Sequence, residues 1–326
     1  MIYDMDKPAE LELFHYIYGR GKDWDVISFE APDFLCNRDG STVLGVEVTE
    51  LWHNESDARL KNLEGYAFDL LDGSKYRHKD DKSTIKVDVV KYMPKGEENK
   101  AKEINAIIHE MPGLKERVSL LEGTIKSKED KASAYMRTCL VVDLIIEDAS
   151  SLFWFEKYEN IFHPISGFVN RSSVINSPFR EIFVITKTKE NKKIYIPLKL
   201  NLFAEDIAIF EKFVVDSKHF HDSGEIARAF KVILYCLCSS SYGNLRTHTE
   251  DNGFGIIVGC HLYLYAGNGK YIRDYSTMPE RLVPGDRIKD ILHNVGETEL
   301  KIANEFLEER KKCRAHMPLY FEIKSV

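Results

Sequence analysis

Glu30-Ala-Pro-Asp-Phe-Leu-Cys-Asn-Arg-Asp-Gly-Ser-Thr-Val-Leu-Gly-Val-Glu-Val-Thr-Glu-Leu51 reads as a tight β-hairpin. One arm covers residues 32–36 and the other 42–51. Asn37-Arg38-Asp39-Gly40 between them has Asx and glycine turn chemistry. Side chains alternate between the faces of a strand. Leu44, Val46 and Val48 therefore share one face, and Glu47 and Thr49 the other. On the first arm Phe34 and Cys36 point opposite to Asp33. The hairpin thus brings two acids, Asp33 and Glu47, to one side and keeps its other side apolar. Two carboxylates held close repel each other until a cation sits between them, and oxygen ligands of this kind suit Mg²⁺ or Mn²⁺.

Working outward, residues 8–20 carry Leu11, Phe14, Ile17 and Tyr18 at helical spacing, with Pro8 in the first turn and Gly19-Arg20-Gly21 as the stop. Residues 25–29 form a short strand. Asn54 and Ser56 are helix caps for one helix over 58–71, with Leu60, Leu63, Ala67, Leu70 and Leu71 inward. Residues 83–93 return as a strand that Pro94 ends. A helix crossing between two strands places them parallel in one sheet and predicts a mixed α/β core.

Pro32-Asp33, a hairpin, and then Glu47-Val48-Thr49 resemble the signature of the PD-(D/E)XK nuclease superfamily, over about the first hundred residues. The order of helix, three strands, helix and strand is similar to that family's core. The resemblance implies a restriction-endonuclease-like mixed sheet flanked by helices, and a Mg²⁺-dependent (or Mn²⁺-dependent) phosphodiesterase. Asp33 and Glu47 would then hold the metal, with the Val48 carbonyl as a neighbouring ligand and Glu10 of the first helix holding a second metal or its water shell. The chain departs from the pattern at Thr49, where the family usually has lysine. A hydroxyl positions water but supplies no positive charge. Several members of the family supply the missing lysine from the helix after the motif, which makes Lys61 and Arg59 the candidates here.

Farther along, residues 96–131 are highly charged and fit two helices broken at Pro112-Gly113. Lys126, Lys128 and Lys131 cluster there as a solvated face or a nucleic-acid contact. Residues 139–146 are a continuous apolar strand, interrupted by Asp143, that suits the centre of a sheet. Asp143 is expected near a strand end. Phe153, Trp154, Phe155, Tyr158 and Phe162 form an aromatic cluster for packing or base stacking. Residues 181–188 and 194–200 form another hairpin. Helices are expected over 204–215, 223–238 and 297–313, a loop over 239–253, strands over 256–265 and 270–275, and a last strand over 320–323. The chain thereby divides into a nuclease-like part, 1–200, and a C-terminal α+β extension, 201–326, serving recognition or dimerisation, with a homodimer as one outcome.

The 326 residues are 44% hydrophobic and 30% charged, values of a globular chain, with no internal repeat or low-complexity segment. A net charge of -7 shows no overall basic footprint for gripping long duplexes but leaves room for a local basic groove. The N-terminus does not read as a signal peptide, the apolar runs are too short to span a bilayer, and the six scattered cysteines sit mostly in apolar runs. These features point to a cytoplasmic protein without a membrane partner. Glycine-rich residues 253–259 lie in an apolar strand and fail the nucleotide-loop pattern. Cys236-Leu237-Cys238 lacks a zinc-knuckle gap. His219, His221 and His248 are irregularly spaced for a metal site with Cys236 or Cys260. Two functions follow: a metal-dependent nuclease acting on DNA in preference to RNA, in bacterial defence or restriction, or a decayed nuclease-fold module that binds nucleic acid or protein without cleavage.

Overall fold

Leu13, Phe14, Ile17 and Tyr18 recur on one side of helix α1 (Pro8–Tyr18) and are all buried, and Gly19 stops the helix at a positive φ of 73°. In the computed structural model this helix covers one face of a sheet. The structure describes residues 7–19, 25–38, 41–71, 78–79, 81, 86–92, 102–108, 111–153, 165, 168–188, 190–216, 226–239, 245–250, 253–266, 269–275, 286–287, 295–312 and 322–325. Strands β1 (Asp25–Ser28), β2 (Phe34–Arg38) and β3 (Ser41–Leu51) follow α1 as an antiparallel meander. The expected alternation holds. Leu44, Val46 and Val48 pack with Phe34, Cys36 and the α1 stripe, whereas Leu51 belongs to the opposite face.

The segment after the hairpin differs from expectation. Asn54 does cap a helix, accepting the Asp57 N–H at 2.9 Å, but that helix is α2 (Glu55–Asn62), and a separate α3 (Tyr66–Leu71) follows. Gly65, at φ 74°, breaks the two apart. Strand β4 (Lys86–Tyr92) does not enter the sheet of β3. It pairs antiparallel with β5 (Lys102–Ile108), from Lys86↔Ile108 to Tyr92↔Lys102, in a two-stranded ladder of its own. Residues 104–108 were expected in a helix. Ile104, Ile107 and Ile108 suit helical spacing, but ladder pairing with β4 decides their state, and Ile104 stays exposed.

The crossover is made by α4 (Leu114–Tyr135), which leads to β6 (Val141–Asp148). This strand lies parallel to β3, in register from Leu44↔Val141 to Leu51↔Asp148. After the short α5 (Arg171–Asn176), β7 (Ile182–Lys187) adds parallel to β6, and β8 (Lys193–Pro197) closes antiparallel on β7. The sheet is therefore six-stranded and mixed, in the order β1-β2-β3-β6-β7-β8. Val118, Leu121, Ile125, Ala132 and Tyr135 of α4 cover the face opposite α1, against Val142, Leu144, Ile146, Ile182 and Val184. A helix on each face of a mixed sheet makes the chain mixed α/β, as expected. Of the aromatic cluster only Phe153 is described; the other four lie outside the described residues.

Helix α6 (Leu198–Asp216) starts six residues before the expected Ala204. Its first amides have a remote partner: Glu181 accepts N–H from Lys199 at 2.8 Å and Leu200 at 3.2 Å. Lys199 in turn donates to the carbonyls of Ile175, Ser177 and Phe179. Burial pushes the Glu181 carboxyl up to about 7 and pulls the Lys199 ammonium down to about 8. Helix α7 (Ile226–Ser239) then precedes a second six-stranded sheet. Its strands are β9 (Arg246–Glu250), β10 (Gly253–Val258), β11 (His261–Ala266), β12 (Gly269–Asp274), β13 (Asp286–Arg287) and β14 (Glu322–Ser325), with α8 (Glu297–Lys312) before the last. Part of the expected loop over 239–253 is thus strand β9, paired with β10. The expected single strand over 256–265 spans parts of two, because Gly259, at φ 58°, turns β10 back as β11. Helices α6, α7 and α8 pack on this sheet through Phe203, Phe210, Ile233 and Phe306 against Ile256, Val258 and Tyr263.

Asp143 lies near the start of β6, as expected, the third of its eight residues. It is fully buried and receives Arg180 through two nitrogens, the Tyr18 hydroxyl at 2.7 Å and the Glu181 N–H at 3.1 Å. Burial and then the charge of Asp143 hold the Tyr18 phenol well above its ordinary value. Removing one member of a buried pair strands the other charge. We expect Asp143→Ala to lower stability by about 3–5 kcal/mol in denaturant unfolding. Adding Arg180→Met to it should recover part of that loss, because no buried charge is then left alone.

Candidate functional site

The ladder between β2 and β3 ends at Phe34↔Val46, because Pro32, two residues farther on, has no N–H to donate. Beyond that end the Val48 N–H is taken by the side chain of Asp33, whose Oδ2 accepts it at 2.8 Å. Val48 therefore comes to the site through its amide. The other oxygen, Oδ1, is ion-paired with Lys7, which also donates to the Phe29 carbonyl at 2.9 Å. Lys7 precedes the first residue of α1. The start of α1 thus reaches Asp33 through a lysine. Glu10 does not take the expected place beside Glu47: α1 packs on the face of the sheet opposite to it.

Glu47 lies on the α4 face and is 5% exposed. Its Oε1 accepts the Lys128 ammonium at 2.7 Å. Its Oε2 is buried and has no hydrogen-bond partner among the described residues. Tyr135, one α4 stripe position beyond Ala132, brings its phenol close to the same carboxylate. Burial, then the charge of Glu47 and that of Asp33, push this phenol well above its ordinary value, so it stays protonated. Thr49 follows Glu47 on the same strand face. The site therefore consists of two acids, two lysines, a neutral phenol and a hydroxyl, gathered from α1, the hairpin and α4.

Neither expected cation reaches the acids. The Lys61 ammonium lies 3.7 Å from Glu50 Oε1 and 4.9 Å from the centre of the Trp52 ring, half exposed. Arg59 binds Asp81 at 3.2 Å and Glu55 at 2.7 Å. Both belong to α2, which did not become the crossover helix. The helix that did so supplies Lys128 instead. The signal was present in the sequence. Continuing the stripe of Val118, Leu121 and Ile125 by helical steps lands on residues 128, 132 and 135. Lys128 interrupts an apolar stripe, whereas the neighbouring Lys126 is exposed. Lys7 and Tyr135 carried no comparable signal.

A hard, oxygen-binding cation fits this donor set. A buried carboxylate oxygen left without a partner costs about 1–3 kcal/mol, and a bound cation removes that cost. Asp33 and Glu47 are the groups that would hold Mg²⁺ or Mn²⁺. Cys236 is buried with its thiol 3.7 Å from the Ala303 carbonyl, and His219 and His221 lie outside the described residues. No helix among the described residues is long and apolar enough to cross a membrane. In comparison with known proteins, the chain matches no family model, no curated protein and no solved structure.

Arg59 is committed to a separate buried acid. Asp81 also accepts from Ser56 Oγ at 2.6 Å, the Tyr66 hydroxyl and the His78 N–H at 3.1 Å. Burial alone would raise its pKa, but these donors together hold it below the ordinary 3.8. A carboxyl depressed on folding stabilises above its unfolded value and loses that contribution as pH falls through its folded one. Amide exchange in α2 and α3 is therefore expected to accelerate as pH falls below about 3.8. Asp81→Asn should remove that dependence.

Proposed function

We propose that the chain is a metal-dependent phosphodiesterase of the PD-(D/E)XK kind that cleaves nucleic acid, DNA in preference to RNA. The observation that carries this reading is the buried Glu47, which has a lysine on one oxygen and, among the described residues, no partner on the other, on the strand that follows Asp33. The meander of β1 to β3, the helix α4 and the parallel strand β6 support it, since they follow α1 in the order that the family resemblance implies.

Asp33 and Glu47 would hold a Mg²⁺ or Mn²⁺ ion, which would supply Lewis acidity and a water of lowered pKa. The protein's own groups do the rest. Lys128 places beside Glu47 the positive charge that Thr49 lacks, where it stabilises charge developing on a phosphate. Thr49 offers a hydroxyl to orient water. Tyr135 is a hydrogen-bond donor at neutral pH, as an ordinary phenol is, and its raised pKa extends this to more alkaline pH. Lys7 holds the Asp33 carboxylate in place through Oδ1 while the Val48 N–H fixes Oδ2. The second sheet and its helices serve recognition or dimerisation in this reading, and a cytoplasmic setting and a role in defence belong to the same proposal.

One observation favours the alternative, a binding module without catalysis: both acids already have lysine partners, as in a site whose charges are neutralised from within. Cleavage of plasmid, single-stranded DNA and RNA with Mg²⁺ or Mn²⁺ separates the two. We expect Asp33→Ala and Glu47→Ala to abolish activity, and Lys128→Met to lower kcat by about 10²–10³ with little change in metal affinity. Equal background in the wild type and all variants, with nucleic acid still retained in a gel-shift assay, would establish the binding module.

A further inference from the structure

The turn between β10 and β11 is pressed against the first sheet. A Cβ on Gly259 would lie 2.7 Å from the Arg180 carbonyl and 3.5 Å from Glu181 Oε2. This close approach brings the next two residues, Cys260 and His261, against Glu181, and all three are buried. His261 Nδ1 lies 3.4 Å from Cys260 Sγ and 3.6 Å from Glu181 Oε2. One ligand atom from each of the three falls within 4.8 Å of the other two. The far ring nitrogen of His261, Nε2, lies 3.5 Å from Asp274 Oδ1.

We propose that Glu181, Cys260 and His261 form a site for a divalent ion of the zinc class, which ties the second sheet to the first. Sulfur at about 2.3 Å, nitrogen at about 2.0–2.1 Å and oxygen at about 2.0–2.2 Å from one tetrahedral ion lie about 3.3–3.6 Å from one another. Two of the three separations here are close to those edges. A thiolate and an imidazole select zinc-class ions and reject Mg²⁺, so this site and the oxygen site at Glu47 do not compete for one metal. Asp274 has the position of the carboxylate that commonly orients a metal-bound imidazole from behind. Among the described residues Oε2 of Glu181 accepts one long bond, from Leu200, which leaves a lone pair for a metal.

On metal binding the S–H bond of Cys260 would break, its proton leaving to solvent and the electron pair staying on sulfur for donation to the metal. No group is oxidised or reduced. Because Glu181, Cys260 and His261 are all buried, such an ion would brace the fold rather than meet a substrate.

The test is metal analysis of the full chain, produced with zinc in the medium and purified without chelator. About one zinc per chain is expected, retained in Asp33→Ala/Glu47→Ala and lost in Cys260→Ser and His261→Gln. Cobalt in place of zinc should give a cobalt–thiolate charge-transfer band, absent in Cys260→Ser. Asp274→Asn keeps all three ligands and should weaken zinc binding about 10–100-fold. Folded wild type holding less than about a tenth of an equivalent of zinc, and showing no cobalt–thiolate band, would overturn the site whatever the variants do. Zinc lost in the Asp33→Ala/Glu47→Ala variant but kept in His261→Gln would assign the ion to the hairpin instead.

Discussion

Asp143 is a fully buried carboxyl near the start of β6, in the interior of the first sheet. Its polar partners come from two segments of the chain. Tyr18 comes from α1, Arg180 from the residues before β7, and an amide from Glu181 at the head of that strand. The requirement to satisfy one carboxylate thus sets where the first helix lies and where the third parallel strand begins. It also places Glu181, whose own carboxylate then caps α6. From α6 the chain passes into the second sheet, so the C-terminal part inherits its position from a polar network built at the heart of the first.

The candidate site uses the sheet differently. Its acids sit where regular pairing stops. Asp33 takes over from β2 as the partner of the Val48 amide, so its carboxylate is held by backbone geometry rather than by a flexible surface contact. Glu47 is held by burial under α4. Groups fixed in this way lose little freedom when a ligand arrives, which is the arrangement an electrostatic site needs. The cost is a carboxylate oxygen without a partner among the described residues, a local sacrifice of stability of the kind functional sites accept.

Much of this was legible in the sequence where local period decides structure. The α1 stripe, the hairpin from Pro32 to Leu51 and its two faces, the strand around Asp143 and the hairpin of β7 and β8 all followed from periods of 3.6 and 2. What remained hidden depended on partners remote in the chain. Nothing within residues 42–51 says that the parallel neighbour is β6 rather than β4. The start of α6 is decided by Glu181, seventeen residues upstream of Leu198. Strand β9 lies in a polar stretch and exists because β10 offers it a ladder. Lys128 is an intermediate case. Its place on the α4 stripe was readable, but a lysine on an apolar stripe announces a buried partner only once that helix is known to cross the Glu47 face.

Residues 52–113 separate β3 from the helix that carries the chain to β6, and among the described residues they add no strand to the first sheet. They have their own buried centre, Tyr66 and Leu70, and their own polar anchor, Asp81. The β3–β6 register therefore does not depend on how long this excursion is. A chain with this architecture can lengthen, shorten or exchange the excursion between relatives without disturbing the acids below it. Variation is then free to accumulate there while the two acids keep their places.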